Sequence, residues 1–272
     1  MLRFTSRQPT RPDRTAHGLV MVDLGGPGPA ERRSAMSSPA SAIGVRPGCQ
    51  PRPLSRGEVH AWVVDLDSPA TGSLRSLDAA ERDRAGRYLS TRDGARFAAS
   101  RAALRVILGS YLSASPAGLR FATGPGGRPA VAGPGPAGLE FSLARTAGLA
   151  LIAVSLKTVG ADIEVVRPHA GLADLATARF GSAEAACIAR GCAGTALMSF
   201  YRHWTAKEAY LKAIGIGLAG LAHTALDCSH PPAIRFRGSP VSGLRLWLPD
   251  VSPEIAAAIV SSGPVAGCWQ LA

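Results

Sequence analysis

Between residues 139 and 166 three strand-like runs follow one another with only short polar steps between them, and few folds accommodate that pattern. LEFSLARTAGLALIAVS (139–155) reads as a strand, a tight polar turn and a second strand. After Lys157-Thr158 comes a third, VGADIEVV (159–166), so a meander is expected in the middle of the folded region. Beyond Pro168 the period becomes helical: GLADLATARF, then SAEAACIAR with Ser182 as a cap, then SFYRHWTAKEAYLKAI ending at 214.

Upstream, VHAWVVDL (59–66) is apolar enough for a strand. Asp78 and Glu81 have the spacing of a capping box. From there to Leu112 the spacing is helical, with Tyr88, Phe97, Leu104 and Leu108 as apolar positions. Arg82, Arg84, Arg87, Arg92, Arg96, Arg101 and Arg105 supply charge along it. Gly124–Gly138 reads as turns, and the tail after Ala222 alternates weakly as strands do in IRFRG, LRLWLP and GCWQLA. Helical and strand runs are segregated, which predicts an α+β fold. Two halves of similar size are expected, 56–156 and 157–272. Residues 1–55, rich in Arg, Pro, Gly and Ser, are expected to be a disordered extension or the product of an over-called start.

The chain has 272 residues, enough for one large domain or two small ones with a real core. No apolar run approaches the roughly 20 residues that span a bilayer. A net charge of +11 favours polyanionic partners: nucleic acid, a phosphorylated cofactor, an acidic protein or an anionic membrane. A compositional bias toward Arg and Ala accounts for the same surplus. No aromatic interleaving or nucleic-acid motif accompanies the charge. The five cysteines (Cys49, Cys187, Cys192, Cys228 and Cys268) are odd in number and form no CxxC pair, so a disulfide framework or zinc knuckle is not expected. A reducing cytoplasm is the expected compartment.

Alternation along VGADIEVV places Val159, Ala161, Ile163 and Val165 on one face, and Asp162 and Glu164 on the other. Two carboxylates held side by side repel, and one pKa rises. A hard divalent cation with oxygen ligands, such as Mg²⁺, removes that penalty; a solvated strand face is the plain alternative. In the helix, Trp204, Glu208 and Lys212 recur every four residues and line one stripe. Lys207 and Lys212 are two of the chain's three lysines, in a protein that otherwise uses Arg. GIGLAG (215–220) matches GxGxxG only formally, because it ends a helix instead of following a strand; Gly215 reads as a C-cap.

VGADIE (159–164) with FYRHWTAKEAYLKAIGIGL (200–218) resembles the paired signature of the 4′-phosphopantetheinyl transferases. The second block agrees at Trp204, Lys207, Glu208, Ala209, Lys212, Gly215, Gly217 and Leu218. Length favours the Sfp-type branch, in which two α+β halves of one chain form a pseudo-dimer. The resemblance implies that Asp162, Glu164 and Glu208 hold Mg²⁺ against the pyrophosphate of coenzyme A. It implies Glu208 as base and Lys212 as the group meeting the pyrophosphate or the leaving 3′,5′-ADP. Lys207 is left open between a structural and a carrier-facing role. GPGGRPAV (124–131) places Arg128 at a coenzyme A contact, and Arg84 falls where another phosphate-contacting base occurs. The hairpin departs from the family pattern. Ala144 and Arg145 stand where Ser and His are usual, so Arg145 becomes the candidate 3′-phosphate ligand. The implied partners are coenzyme A and apo carrier proteins of fatty-acid, polyketide or peptide synthases, met by a monomer without nucleic acid or membrane. A non-catalytic relative that binds coenzyme A or a carrier is the alternative.

Overall fold

The computed structural model describes residues 53–271 except 56, 69–73, 125–126, 133–137, 193 and 228–231. The expectation for residues 1–55 falls almost wholly outside them.

In chain order, β1 (Val59–Asp65) precedes two helices, α1 (Ala79–Gly86) and α2 (Thr91–Leu112). A small hairpin follows, β2 (Arg120–Thr123) and β3 (Pro129–Ala132), then β4 (Glu140–Thr146), β5 (Leu149–Ser155) and β6 (Val159–Val165). Three helices come next: α3 (Leu172–Arg179), α4 (Ser182–Ala189) and α5 (Ala196–Ile214). The chain ends with β7 (Thr224–Asp227), β8 (Ala233–Phe236), β9 (Ser239–Pro240), β10 (Arg245–Trp247), β11 (Ile255–Ser261) and β12 (Val265–Leu271). The fold is α+β, as the sequence predicts.

The meander is not what forms. β4 and β5 make the expected hairpin, turning at Ala147, whose φ is 44°, and Gly148. β6 leaves that sheet and pairs with β11, in the register Asp162↔Ala258. The reason is that the second edge of β5 is taken by β1, giving a sheet in the order β12-β1-β5-β4. The other large sheet runs β10-β11-β6. The two sheets stack through Val59, Ala61, Val63, Leu151 and Ala153 on one side, and Val159, Ala161, Ile163, Ala257 and Ile259 on the other. α2 covers the outer face of the first sheet with Leu104, Ile107 and Leu108 against Trp62, Val64 and Ile152. α5 covers the outer face of the second with Ala206, Ala209 and Ala213 against Ala258 and Val260.

Beside β4, β6 offers an edge whose N–H groups need acceptors. Ser142 Oγ accepts from Ala161 N at 3.0 Å and Thr146 Oγ1 from Val165 N at 3.2 Å. Two side-chain hydroxyls thus replace a backbone ladder across the seam, meeting the requirement that buried amides be paired.

The single helical stretch expected from Asp78 to Leu112 is two helices. The capping box forms as predicted, with Glu81 N donating to Asp78 Oδ1 at 2.8 Å. The chain then breaks at residues 87–90, and Ser90 caps α2 by accepting from Asp93 N. The break lets Glu81 turn inward to Arg105 Nε (2.7 Å) and Arg101 Nε (2.6 Å). Arg105, one of the arginines that supply charge along this stretch, is fully buried and also donates to Asp78, Pro116 O and Leu119 O. Ser182 proves to be the first residue of α4; the cap is Gly181, whose N–H is accepted by the Glu184 carboxylate. β11, absent from the sequence reading, is buried at every position. Its run IAAAIVS carries no polar alternation to mark it as a strand, because both of its faces are covered.

Candidate active site

Gly160 decides where the site forms. It lies two residues before Asp162 on the face of β6 that α5 covers. A Cβ there would come within 2.0 Å of Ala209 O and 2.4 Å of Ala213 N. Without one, the helix backbone lies directly on the strand. That contact brings Glu208 and Lys212, on the flank of α5, beside Asp162 and Glu164.

Lys212 Nζ sits 2.5 Å from Asp162 Oδ1 and 3.7 Å from Glu208 Oε2. Glu164 Oε2 accepts from Thr146 Oγ1 at 2.7 Å, so the threonine that closes the seam also orients this carboxylate. Asp162 is 4% exposed, and its second oxygen, Oδ2, is buried with no hydrogen-bond partner among the described residues. The stripe expected from the helical period is present, with Trp204, Glu208 and Lys212 all half-buried.

One ammonium serves three carboxylates here. Burial pushes Glu164 up to about 7, and the Asp162 charge adds to the push. Burial and then Asp162 raise Glu208 to about 6. Asp162 is also raised by burial, against the opposing pull of Lys212. For Lys212, burial works against the charge, but Asp162, Glu208 and Glu164 outweigh it and hold the amine protonated. The cluster is short of positive charge. Among the described residues no group of three His, Cys, Asp or Glu side chains is gathered closely enough to hold a metal ion. The donor chemistry nonetheless suits a hard cation: carboxylate oxygens alone, one of them buried without a partner, with Lys212 standing where positive charge is needed.

The arginines separate into two kinds. Arg84 and Arg145 flank one aromatic ring, their guanidinium carbons 5.2 and 5.1 Å from the centroid of Phe97. Arg145 also lies 3.5 Å from the Tyr88 hydroxyl. Neither has an acidic partner among the described residues. Arg145 adjoins Thr146 on β4, one residue from the acidic cluster. Arg128 is engaged by the fold: it donates to Ala213 O and Val159 O, both at 2.9 Å, and pairs with Glu140 at 3.1 Å. A coenzyme contact would compete with those bonds. Arg92 and Arg96 both pair with Asp67. Ala144 is buried in the core between the sheets.

Lys207, left open by the sequence, points away from the cluster. It is 2% exposed, with Nζ 2.9 Å from Glu184 Oε2 and 4.7 Å from the centroid of Phe180. Glu184 Oε1 accepts from Leu226 N as well, so the pair ties α4, α5 and β7 together. Thr146 and Gly160 were missed as site residues. Gly160 carried a signal, a glycine in phase with the two carboxylates on a strand; Thr146 carried none beyond its place in the hairpin.

A family model described as the 4′-phosphopantetheinyl transferase superfamily matches residues 158–251, the stretch that contains all four cluster residues from β6 and α5. The chain is 32% identical over 222 residues to the 4′-phosphopantetheinyl transferase HetI of Nostoc sp., covering 80% of this chain and 92% of that protein. It is 30% identical over 210 residues to a phosphopantetheinyl transferase of Thraustochytrium sp., covering 71% of each. To a 4′-phosphopantetheinyl transferase of Bacillus subtilis it is 25% identical over 168 residues, covering 62% of this chain and 68% of that one.

Proposed function

Because the chain belongs to the 4′-phosphopantetheinyl transferase superfamily and is an enzyme of that kind, we propose that it transfers 4′-phosphopantetheine from coenzyme A to a serine of an apo carrier protein. The observation that carries this reading is the buried cluster of Asp162, Glu164, Glu208 and Lys212 at the contact of β6 with α5.

Asp162, Glu164 and Glu208 would hold Mg²⁺, which when bound supplies positive charge against the coenzyme A pyrophosphate. Glu208, poised near neutrality, takes the proton from the acceptor serine. The serine Oγ forms a bond to the β-phosphorus as the bond to 3′,5′-ADP breaks. Lys212 stays protonated and meets the charge that develops on the leaving phosphate. Arg84 and Arg145 offer the 3′-phosphate two guanidinium groups on the Phe97 ring, a grouping that the replacement of the usual His by Arg145 supports. Arg128 would reach the cofactor only by sharing its bonds to Ala213 and Val159. Carrier domains of fatty-acid, polyketide or peptide synthases are the acceptors, the protein acts as a cytoplasmic monomer, and the basic surplus suits both the phosphorylated cofactor and acidic carriers. No helix among the described residues is long and apolar enough to cross a membrane.

Incubation with coenzyme A, Mg²⁺ and apo carrier proteins of the host should add the mass of one phosphopantetheine to a carrier serine. A panel of those carriers that stays unmodified while binding the protein would overturn the proposed acceptor and leave a non-catalytic binding role.

A further inference from the structure

Outside this site, one pair of reactive side chains stands at the end of α4. The helix finishes with two backbone bonds: Gly191 N donates to Ile188 O at 2.9 Å, and Cys192 N donates to Cys187 O at 3.3 Å. Gly191 has a φ of 66°. These are the paired bonds of a Schellman ending, in which the third-last helical residue and the second residue past the cap are brought into side-chain contact. Here both positions are cysteines. Cys187 is buried, Cys192 is exposed, and neither is in a disulfide. The two thiols lie within hydrogen-bond reach of each other, and Arg190 lies beside Cys192. That contact and the arginine charge lower the pKa of the Cys192 thiol and favour its thiolate, the form that reacts with oxidants.

We propose that Cys187 and Cys192 form a reversible oxidation site, closed to an intramolecular disulfide by hydrogen peroxide. Exposed Cys192 attacks the peroxide oxygen, becomes a sulfenic acid and releases one water. The Cys187 sulfur then attacks the Cys192 sulfur, and the hydroxyl leaves as a second water. Two thiols lose two electrons and two protons, and the peroxide accepts both. The bond would lock the end of α4 one turn beyond Glu184, the residue that anchors Lys207 of α5. In a reducing compartment such a bond is transient, as expected of an oxidant-responsive pair.

Trypsin provides a direct test, since Arg190 lies between the two cysteines. The full chain is treated with hydrogen peroxide, its remaining thiols are alkylated, and it is digested without reductant. Fragments 180–190 and 191–202 should appear joined, two hydrogens lighter than their sum, and should separate on addition of dithiothreitol. Cys187→Ser should abolish the joined species and leave Cys192 as a sulfenic acid trapped by dimedone. Cys192→Ser should leave Cys187 alkylatable after the same treatment. The proposal is overturned if both fragments of the oxidised wild type are recovered separately, or if Cys192 is found joined to another cysteine or oxidised beyond the sulfenic acid while Cys187 stays a thiol.

Discussion

Five positions along α5 carry a lysine from one side of the helix to the other, since each residue turns it by about 100°. Lys207 and Lys212 therefore have separable roles. Lys207→Met strands Glu184 as a buried charge, so equilibrium denaturation should record a loss of about 3–5 kcal/mol. Enzyme that stays folded should still transfer. Lys212→Met, like Asp162→Ala or Glu208→Ala, should instead cut turnover by about 100-fold or more in the mass-shift assay while circular dichroism stays that of the native fold. Near-full activity in the two carboxylate variants would mean that the cluster is not the catalytic centre. Thr146 belongs at this scale too. Thr146→Val leaves Val165 N without its acceptor and should cost about 1–3 kcal/mol, which Thr146→Ser largely restores. The strand period put Asp162 and Glu164 on one face and the helix period put Glu208 and Lys212 on one stripe, but joining the two pairs rested on the family resemblance. The seam contact of Thr146 was not legible in the sequence, since it joins residues 18 and 19 positions apart across two sheets.

α5 is held to β6 by an absence. Gly160→Ala puts a methyl group against the backbone of Ala209 and Ala213, atoms that cannot swing aside. Overpacking of this kind costs about 1–3 kcal/mol, and the shift it forces should weaken transfer more than stability, because it moves Glu208 and Lys212 off Asp162. Unfolding curves and turnover measured on one preparation check this, and unchanged turnover would sink it. α5 also carries a buried histidine. His203 Nδ1–H donates to Ser199 O at 2.7 Å, and burial depresses its pKa below the usual 6.5. The unfolded chain therefore takes up the proton more readily than the fold does. Its contribution to stability is complete above pH 6.5 and is lost as pH falls below it. His203→Asn keeps a donor and removes the titration, so its melting temperature should fall less than that of the wild type between pH 7 and 5. At this scale the sequence carried the hairpin, the capping box of α1 and the Gly215 cap of α5, each a signal confined to a few neighbours. It did not carry the break before α2, which follows from Glu81 reaching Arg101 and Arg105 across 20 and 24 residues.

The molecule is built on two stacked sheets, each with a long helix on its outer face, and the cluster lies where the second sheet meets its helix. The first sheet takes strands from both ends of the described chain, because β12 pairs in parallel with β1, Val59 opposite Val265. A chain ending at Gly263 would expose the edge of β1. It should lose cooperative unfolding and aggregate, which scattering during thermal denaturation would detect. A truncated protein that melts as sharply as the full chain would contradict this role for β12. By itself the sequence determined that Asp162 and Glu164 share a face of β6, that Glu208 and Lys212 share a stripe of α5, and where the capping box of α1 and the Gly215 cap of α5 fall, because strand and helix periods and caps are local properties. Only the tertiary structure decided that β6 pairs with β11 and not with β5, that the β6 carboxylates meet Glu208 and Lys212, that Lys207 and Arg105 are buried while Arg84 and Arg145 have no acidic partner among the described residues, and that one lysine must serve three acids. Those outcomes depend on which surfaces exclude water together, and no window of neighbouring residues contains both sides of such a surface.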